Sequence, residues 1–209
     1  MEYLNQAPVA SIILVITVLT SVLTFSNEEW FGKLMLHPYS VYRGKNVYTV
    51  ITSGLIHKDW MHLFFNMISY YCFAFTLEGV IGHWQFGLLY VASLILSDMP
   101  SVAKHKNDFW YNSLGASGAV SAVIFSYILY DPMASMYIIP FPFPIKAIIF
   151  GVLYLVYCNY AAKHSRDNIN HDAHMFGALS GVAITLILNP AVAPEFIHKI
   201  TAGVQSMLH

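Results

Sequence analysis

Long apolar runs separated by short polar or aromatic stretches make up most of the chain. About 20 helical residues cross the hydrocarbon core of a bilayer, and six runs reach or approach that length. We therefore predict membrane-spanning helices over residues 8–25, 61–81, 83–99, 115–130, 144–162 and 172–189. No repeat or second domain is visible, so the pattern predicts one all-α membrane domain that covers residues 1–209.

Polar and proline residues mark where several of these runs should stop. We expect the third run to end near Asp98 and Pro100, the fourth at Asp131-Pro132 and the sixth at Asn189-Pro190. A proline-rich stretch, residues 140–144, precedes the fifth run. The tail, residues 191–209, is weakly amphipathic and is predicted to lie on the membrane surface.

The longest connection and the shortest run have distinct properties. Residues 26–60 mix aromatic side chains with scattered charges, which favours a loop packed into the headgroup zone. The fourth run covers only about 24 Å as a helix, less than the roughly 30 Å core. Because its Asp131 end is polar and can reach water, we expect its Ser117 end to lie below the opposite surface, where water arrives through a cavity.

The composition agrees with an integral, multi-pass membrane protein. Apolar residues make up 57% of the chain and charged residues 10%, against about 25% charged residues in soluble domains. The net charge of -1 gives no argument for nucleic-acid binding.

The first run lacks a preceding basic region and is longer than the apolar core of a typical signal peptide, so we expect a retained anchor. Cys72 and Cys158 fall in mid-span and are expected to be packing residues.

A serine between small residues and a distant histidine form the first candidate pair. Ser117 lies in Gly115-Ala116-Ser117-Gly118, and His174 lies near the start of the sixth run. A neutral histidine can take the proton that makes a serine nucleophilic. One run separates their helices, so these run in the same direction and the two side chains share a depth. Gly177 and Gly181 have the G-x-x-x-G spacing that permits close helix contact.

His62 and Asn66 are candidate hydrogen-bond donors. Their i, i+4 spacing places them on one helix face, at the same membrane surface as Ser117. With the Ser117 N–H at a helix N-terminus, they would stabilise an oxyanion. Each residue alone also fits helix packing or an interfacial position. Asp172 is only two residues from His174, so the two should point to different sides of a helix.

Other polar residues receive structural interpretations. Glu78 is expected to cap a helix or to pair with another helix. Five further histidines lie at run edges or in loops, and most of them are expected to be interfacial; the five are His57, His83, His105, His164 and His171.

These motifs together resemble the rhomboid family of intramembrane serine proteases. The resemblance rests on His57-x4-His62-x3-Asn66, on Gly115-Ala116-Ser117-Gly118 and on residues 173–177, Ala-His-Met-Phe-Gly, and it extends over about residues 8–189. It implies a six-transmembrane-helix rhomboid-like bundle and a catalytic dyad of Ser117 and His174 with no third acid. It also implies an oxyanion hole from Asn66, His62 and the Ser117 N–H.

The resemblance carries further expectations about partners and location. Substrates would be transmembrane segments of other proteins, which reach the site past the fifth run with its Phe150, Tyr154 and Tyr157. Besides these substrates the partner is membrane lipid, with no nucleic acid, no metal and no cofactor. The expected location is a bacterial cell (inner) membrane.

A departure from the family pattern and a conflict over membrane orientation leave questions open. Many members have a tyrosine four residues after the serine, stacked on the histidine, where this chain has Ser121. Another group must then orient His174. The family's usual orientation also conflicts with the positive-inside tendency, because it leaves only Lys146 and Lys199 inside. It puts outside Lys33, Arg43, Lys45, Lys58, Lys104, Lys106, Lys163 and Arg166.

Two other functions stay open. One is a catalytically inactive relative that binds membrane proteins, although such proteins typically lack the serine or the histidine. The other is a metal transporter, because His57 with His62 and His171 with His174 have ligand-like spacings. The scarcity of acidic residues within the runs argues against a cation path.

Overall fold

The structure is a computed structural model that describes residues 6–138, 143–165, 167 and 169–208. Most of the proline-rich stretch before the fifth run, residues 140–142, and Arg166 lie outside these residues. The helices in chain order are α1 (Pro8–Phe25), α2 (Glu28–Leu34), α3 (Pro38–Val41), α4 (Thr49–Thr52), α5 (Trp60–Ile81), α6 (His83–Lys104), α7 (Ser117–Tyr130), α8 (Ala147–His164), α9 (His171–Leu188) and α10 (Val192–Leu208).

Minor elements connect these helices. A 3-10 turn, Ser53–Leu55, follows α4. Two short strands, β1 (Ser135–Tyr137) and β2 (Pro144–Lys146), pair antiparallel before α8. The sequence pattern does not predict this hairpin, because each strand has only three residues and no alternating pattern of useful length.

The prediction of a helical membrane protein is confirmed. Among the described residues, four helices are long and apolar enough to cross a membrane, namely α1, α5, α6 and α9. The shorter α7 has 14 residues, and together with α8 it stands outside that group. The helix bounds agree with the predicted runs within a few residues, except at the end of α6.

The predicted stop of the third run near Pro100 was wrong, because α6 continues to Lys104. A proline removes one helical hydrogen bond, but neighbouring side chains hold the last turns of α6. The Ser53 hydroxyl donates to the buried Asp98 carboxylate at 3.4 Å, and Asn170 Nδ2 donates to Ser101 Oγ at 2.8 Å. Tertiary hydrogen bonds thus outweigh the local stop signal.

Helix α7 lies inside the bundle and contacts α5, α6, α8 and α9. Its approach to α9 depends on glycines. A Cβ at Gly177 would lie 2.1 Å from the Gly118 carbonyl oxygen, and one at Gly181 would lie 2.4 Å from the Ala122 carbonyl oxygen. The prediction of a close G-x-x-x-G contact is confirmed. We call this contact, residues 118–122 against 177–181, the α7–α9 seam.

The connection between α1 and α5 is tied to another part of the chain, whereas its place in the headgroup zone stays a prediction. Leu36 and Ser113 exchange backbone hydrogen bonds of 2.9 and 3.0 Å. The His37 Nε2 lies 2.8 Å from the Phe109 carbonyl oxygen, and the Arg43 guanidinium donates to the Lys106 carbonyl at 2.6 Å. These bonds hold the connection against the segment that leads into α7.

The opposite end of the bundle has its own anchors. Glu78 is fully buried and accepts hydrogen bonds from the N–H groups of Val9 and Ala10, at 3.1 and 2.6 Å. The prediction that Glu78 caps a neighbouring helix is confirmed. The tail forms α10, whose Lys199 ammonium donates to the Tyr130 carbonyl at the C-terminus of α7. There its positive charge complements the helix dipole.

Candidate active site

Ser117 is the first residue of α7 and is half-buried. The N-terminal N–H groups of a helix lack intrahelical partners, so its start favours a negative charge. Gly115, two residues earlier, has φ of +116° and donates its N–H to the Ser53 carbonyl at 2.9 Å. This φ is not helical and would strain a residue with a side chain. The helix α7 therefore begins at Ser117 rather than at the predicted residue 115.

His62 lies directly against the turn that precedes Ser117. A Cβ at Gly115 would lie 2.7 Å from His62 Cε1 and 2.9 Å from Nε2, so this glycine makes room for the imidazole. Asn66 is one helical turn further along α5 and is 7% exposed. Its amide nitrogen donates to the His62 carbonyl at 3.0 Å. A primary amide has two N–H donors, so a second one is left for another acceptor.

His174 lies in the first turns of α9, next to the turn that begins α7. A Cβ at Gly118 would lie 3.3 Å from the Ala173 carbonyl oxygen, so the residues beside Ser117 and His174 are nearly in contact. Within the described part of the chain, no hydrogen bond joins the Ser117 hydroxyl to the His174 imidazole. Catalytic hydrogen bonds are often long before substrate binds.

Two aromatic rings lie close to the His174 imidazole. Tyr154 of α8 lies nearly parallel to it, with ring centroids 6.4 Å apart and an interplanar angle of 17°. His171 lies edge-on, with centroids 6.0 Å apart. Asp172 is occupied elsewhere, because its carboxylate pairs with the Lys104 ammonium at 2.7 Å.

His57 is an exception to the prediction that most histidines at run edges and in loops are interfacial. His57 is fully buried, with Nδ1 3.0 Å from Ser21 Oγ and Nε2 accepting the Ala116 N–H at 3.4 Å. Burial, with a smaller contribution from His62, lowers the pKa of His57 to about 3, so the ring is neutral. His57 therefore links α1 to the residue before Ser117. Its i, i+5 spacing from His62 is the sequence signal that could have suggested this role.

His171 is a second exception, because it is buried at 4% exposure. Its Nε2 lies 3.1 Å from the Asp167 carboxylate. Among the residues that the structure describes, no three His, Cys, Asp or Glu side chains are arranged to hold a metal ion.

A cavity of about 460 Å³ opens on the other side of α7. It lies between α5, α7, α8 and β1, and we call it the α5–α8 cavity. Its lining includes Phe65, Ser69, Ile124, Met136 and Phe150. On α5 the lining begins at Phe65 and continues to Phe73.

Comparison with known proteins agrees with these observations. The chain matches the Rhomboid domain family over residues 44–191. It is 29% identical to Rhomboid protein 1, mitochondrial, of Saccharomyces cerevisiae, over 74% of this chain and 46% of the yeast protein. It is 27% identical to RHOMBOID-like protein 12, mitochondrial, of Arabidopsis thaliana, over 73% of this chain and 49% of the plant protein.

A third relative is the rhomboid protein YdcA of Bacillus subtilis, 30% identical over 66% of this chain and 65% of the bacterial protein. The chain thus spans about half the length of the two mitochondrial relatives. The family match covers the segments that bring His62, Ser117 and His174 to one end of the bundle. On the breadth of that match, this integral membrane protein belongs to the rhomboid family.

Proposed function

We propose that this chain is an intramembrane serine endopeptidase that cleaves transmembrane segments of other membrane proteins. Ser117 is the nucleophile and His174 the general base. The observation that carries this proposal is the glycine contact between α7 and α9, which holds the turn of Ser117 against the turn of His174.

In the acylation step, the Ser117 oxygen attacks the scissile carbonyl carbon while its proton passes to His174. The tetrahedral intermediate collapses, the carbon–nitrogen bond breaks, and His174 returns the proton to the leaving amine. Water then attacks the acyl-enzyme with His174 again as base, which restores the serine. Proton transfer by a positioned side chain typically contributes about 10²–10⁴-fold to the rate.

The oxyanion of the intermediate forms at the N-terminus of α7. There the Ser117 N–H, the free Asn66 N–H and the His62 ring are the proposed donors. The His62 ring packs against the turn that precedes Ser117, and the Asn66 amide donates a hydrogen bond to the His62 carbonyl. Donors fixed before the reaction do not have to reorganise during it, and removal of one typically costs about 10²–10³-fold in turnover.

We further propose that α7 and α8 cross the membrane with the other four helices, which gives the six crossings expected from sequence. The short α7 would then leave Ser117 below the membrane surface. Transmembrane substrates approach along α8 and the α5–α8 cavity. A bacterial cell membrane stays a prediction, since the relatives include mitochondrial and bacterial proteins.

A serine-directed fluorophosphonate tests the proposal on purified protein in detergent, together with cleavage of a transmembrane reporter. We expect labelling of the parent chain, no labelling of Ser117→Ala and strongly slowed labelling of His174→Ala. Ser206→Ala is the matched control, because Ser206 is an exposed serine on α10. Folding of each variant is checked by thermal unfolding.

Three results would reject the proposal. Equal cleavage by the parent and Ser117→Ala would exclude Ser117 as the nucleophile. A folded parent that binds the reporter but neither cleaves it nor takes up the label would instead identify an inactive, substrate-binding relative. Inactivation by a chelator that added zinc reverses would favour the metal-based alternative.

A further inference from the structure

Ser121 occupies the position where many family members carry a tyrosine, yet an aromatic ring still lies beside His174. That ring belongs to Tyr154 of α8 and is nearly parallel to the imidazole, with centroids 6.4 Å apart. Offset parallel rings interact favourably at centroid separations of about 4.5–7 Å. The ring therefore comes from another helix.

Ser121 holds that tyrosine in place. The two hydroxyl oxygens are 2.7 Å apart, which is a short hydrogen bond between α7 and α8. Ser121 is only 3% exposed, so water does not readily replace the partner. Phe150 and Phe125 pack against the Tyr154 ring, with centroid distances of 5.5 and 5.6 Å. The ring is thus restrained both at its hydroxyl and by its neighbours.

We propose that Tyr154, fixed by Ser121, is the positioning residue for the His174 imidazole. This inference rests on the proposed protease function. The terminal torsion of a histidine is broad, so an unsupported imidazole would sample orientations that do not point toward Ser117. The nearly parallel Tyr154 ring and the edge-on His171 ring both lie within about 6.4 Å of the imidazole centroid and restrict that rotation. Tyr154 acts through His174 and takes no part in the bond changes.

The test compares variants that separate the ring from its hydroxyl. Tyr154→Leu removes the ring and should lower kcat and the fluorophosphonate labelling rate by about 10- to 100-fold, as misplacement of a catalytic group does. The KM for a transmembrane reporter should stay unchanged. Tyr154→Phe keeps the ring and loses only the hydrogen bond, so we expect a loss of about fivefold.

Ser121→Ala breaks the same hydrogen bond from the other helix. It should match Tyr154→Phe, and the double variant should be no slower than either single variant, because both remove one interaction. Tyr160→Leu is the matched control. Tyr160 lies on the same helix, is 63% exposed and stacks on His164, so its loss should leave labelling and cleavage unchanged.

Several outcomes would overturn the inference. Tyr154→Leu labelled at the parent rate would show that His174 needs no such ring. A raised KM with unchanged kcat would assign Tyr154 to substrate access instead. If Tyr154→Leu fails to fold, additive losses in Tyr154→Phe and Ser121→Ala, or no loss in either, would decide against it. Absence of labelling in the parent would reject the protease function itself, which is a distinct result.

Discussion

The two sides of α7 differ in how closely they are packed. On the α9 side, glycines bring the backbones together so that a single added Cβ would lie 2.1 Å from a carbonyl oxygen. On the other side, toward α5 and α8, a cavity of about 460 Å³ remains. Packed interiors move little, whereas cavities accept ligands and rearrangement. We therefore expect the proposed dyad of Ser117 and His174 to be held by the packed side, and the proposed substrate to enter from the open side.

The largest effect is expected at the α7–α9 seam. Gly177→Val places a branched side chain where the Gly118 carbonyl lies, and overpacking of this kind costs about 3 kcal/mol. Because the helices must separate, the dyad should be lost as well. Thermal unfolding and fluorophosphonate labelling measure the two effects. Gly79→Ala is the matched control, since a Cβ at this glycine of α5 meets no atom within 4 Å. Equal stability of both variants would contradict the tight seam.

His57 is a further closely packed residue, between α1 and the turn before Ser117, and its burial gives a pH dependence. The pKa of His57 is about 3 in the folded chain and about 6.5 in an unfolded one. Well above pH 6.5 the ring is neutral in both states, so its protonation does not change the free energy of unfolding. As pH falls from 6.5 toward 3, only the unfolded chain gains the proton, so folded stability decreases.

Between pH 7 and pH 5 this linkage should lower the free energy of unfolding by about 2 kcal/mol. His57→Gln removes the titrating ring while keeping a group that accepts a hydrogen bond. We expect it to be less stable at pH 7 but to lose less stability on acidification. Denaturant unfolding in detergent at several pH values measures both slopes. Parallel slopes for the parent and the variant would show that another group causes the acid sensitivity.

The open side should tolerate a large residue without loss of fold. Ser69→Trp fills part of the α5–α8 cavity and should reduce cleavage of a transmembrane reporter about tenfold, or about 1.4 kcal/mol. Labelling by the small fluorophosphonate should stay at the parent rate. Phe64→Trp is the control, since Phe64 is an exposed residue of the same helix outside the cavity lining. Slower labelling by Ser69→Trp would mean that the cavity wall and the dyad are coupled.

The smallest effect concerns the two thiols. Their modification rates compare the open cavity with the packed interior and require no change in stability. Cys72 is exposed and lines the α5–α8 cavity, whereas Cys158 is buried. A membrane-permeant maleimide should modify Cys72 first. Mass spectrometry of the folded protein in detergent measures the order. Faster modification of Cys158 would indicate that α8 separates from its neighbours more easily than its packing suggests.

Individual residues show which features of the fold can be predicted from the sequence. The apolar runs predicted nearly every long helix, and the glycine spacing predicted the close contact of Gly177 and Gly181. The stop at Pro100 failed because partners from distant segments hold the end of α6. His57 looked interfacial because its partners, Ser21 and Ala116, are remote in sequence. The catalytic and oxyanion assignments stay predictions that the experiments above address.

By itself, the sequence determined the membrane character, the approximate helix bounds and the family, because hydrophobicity, helix length and motif spacing are local properties of the chain. Only the tertiary structure decided what surrounds His174. The neighbours of an imidazole are set by how α7, α8 and α9 pack, and the bond between Ser121 and Tyr154 joins residues 33 positions apart. No local pattern encodes such a contact, since it exists only once the helices have packed together.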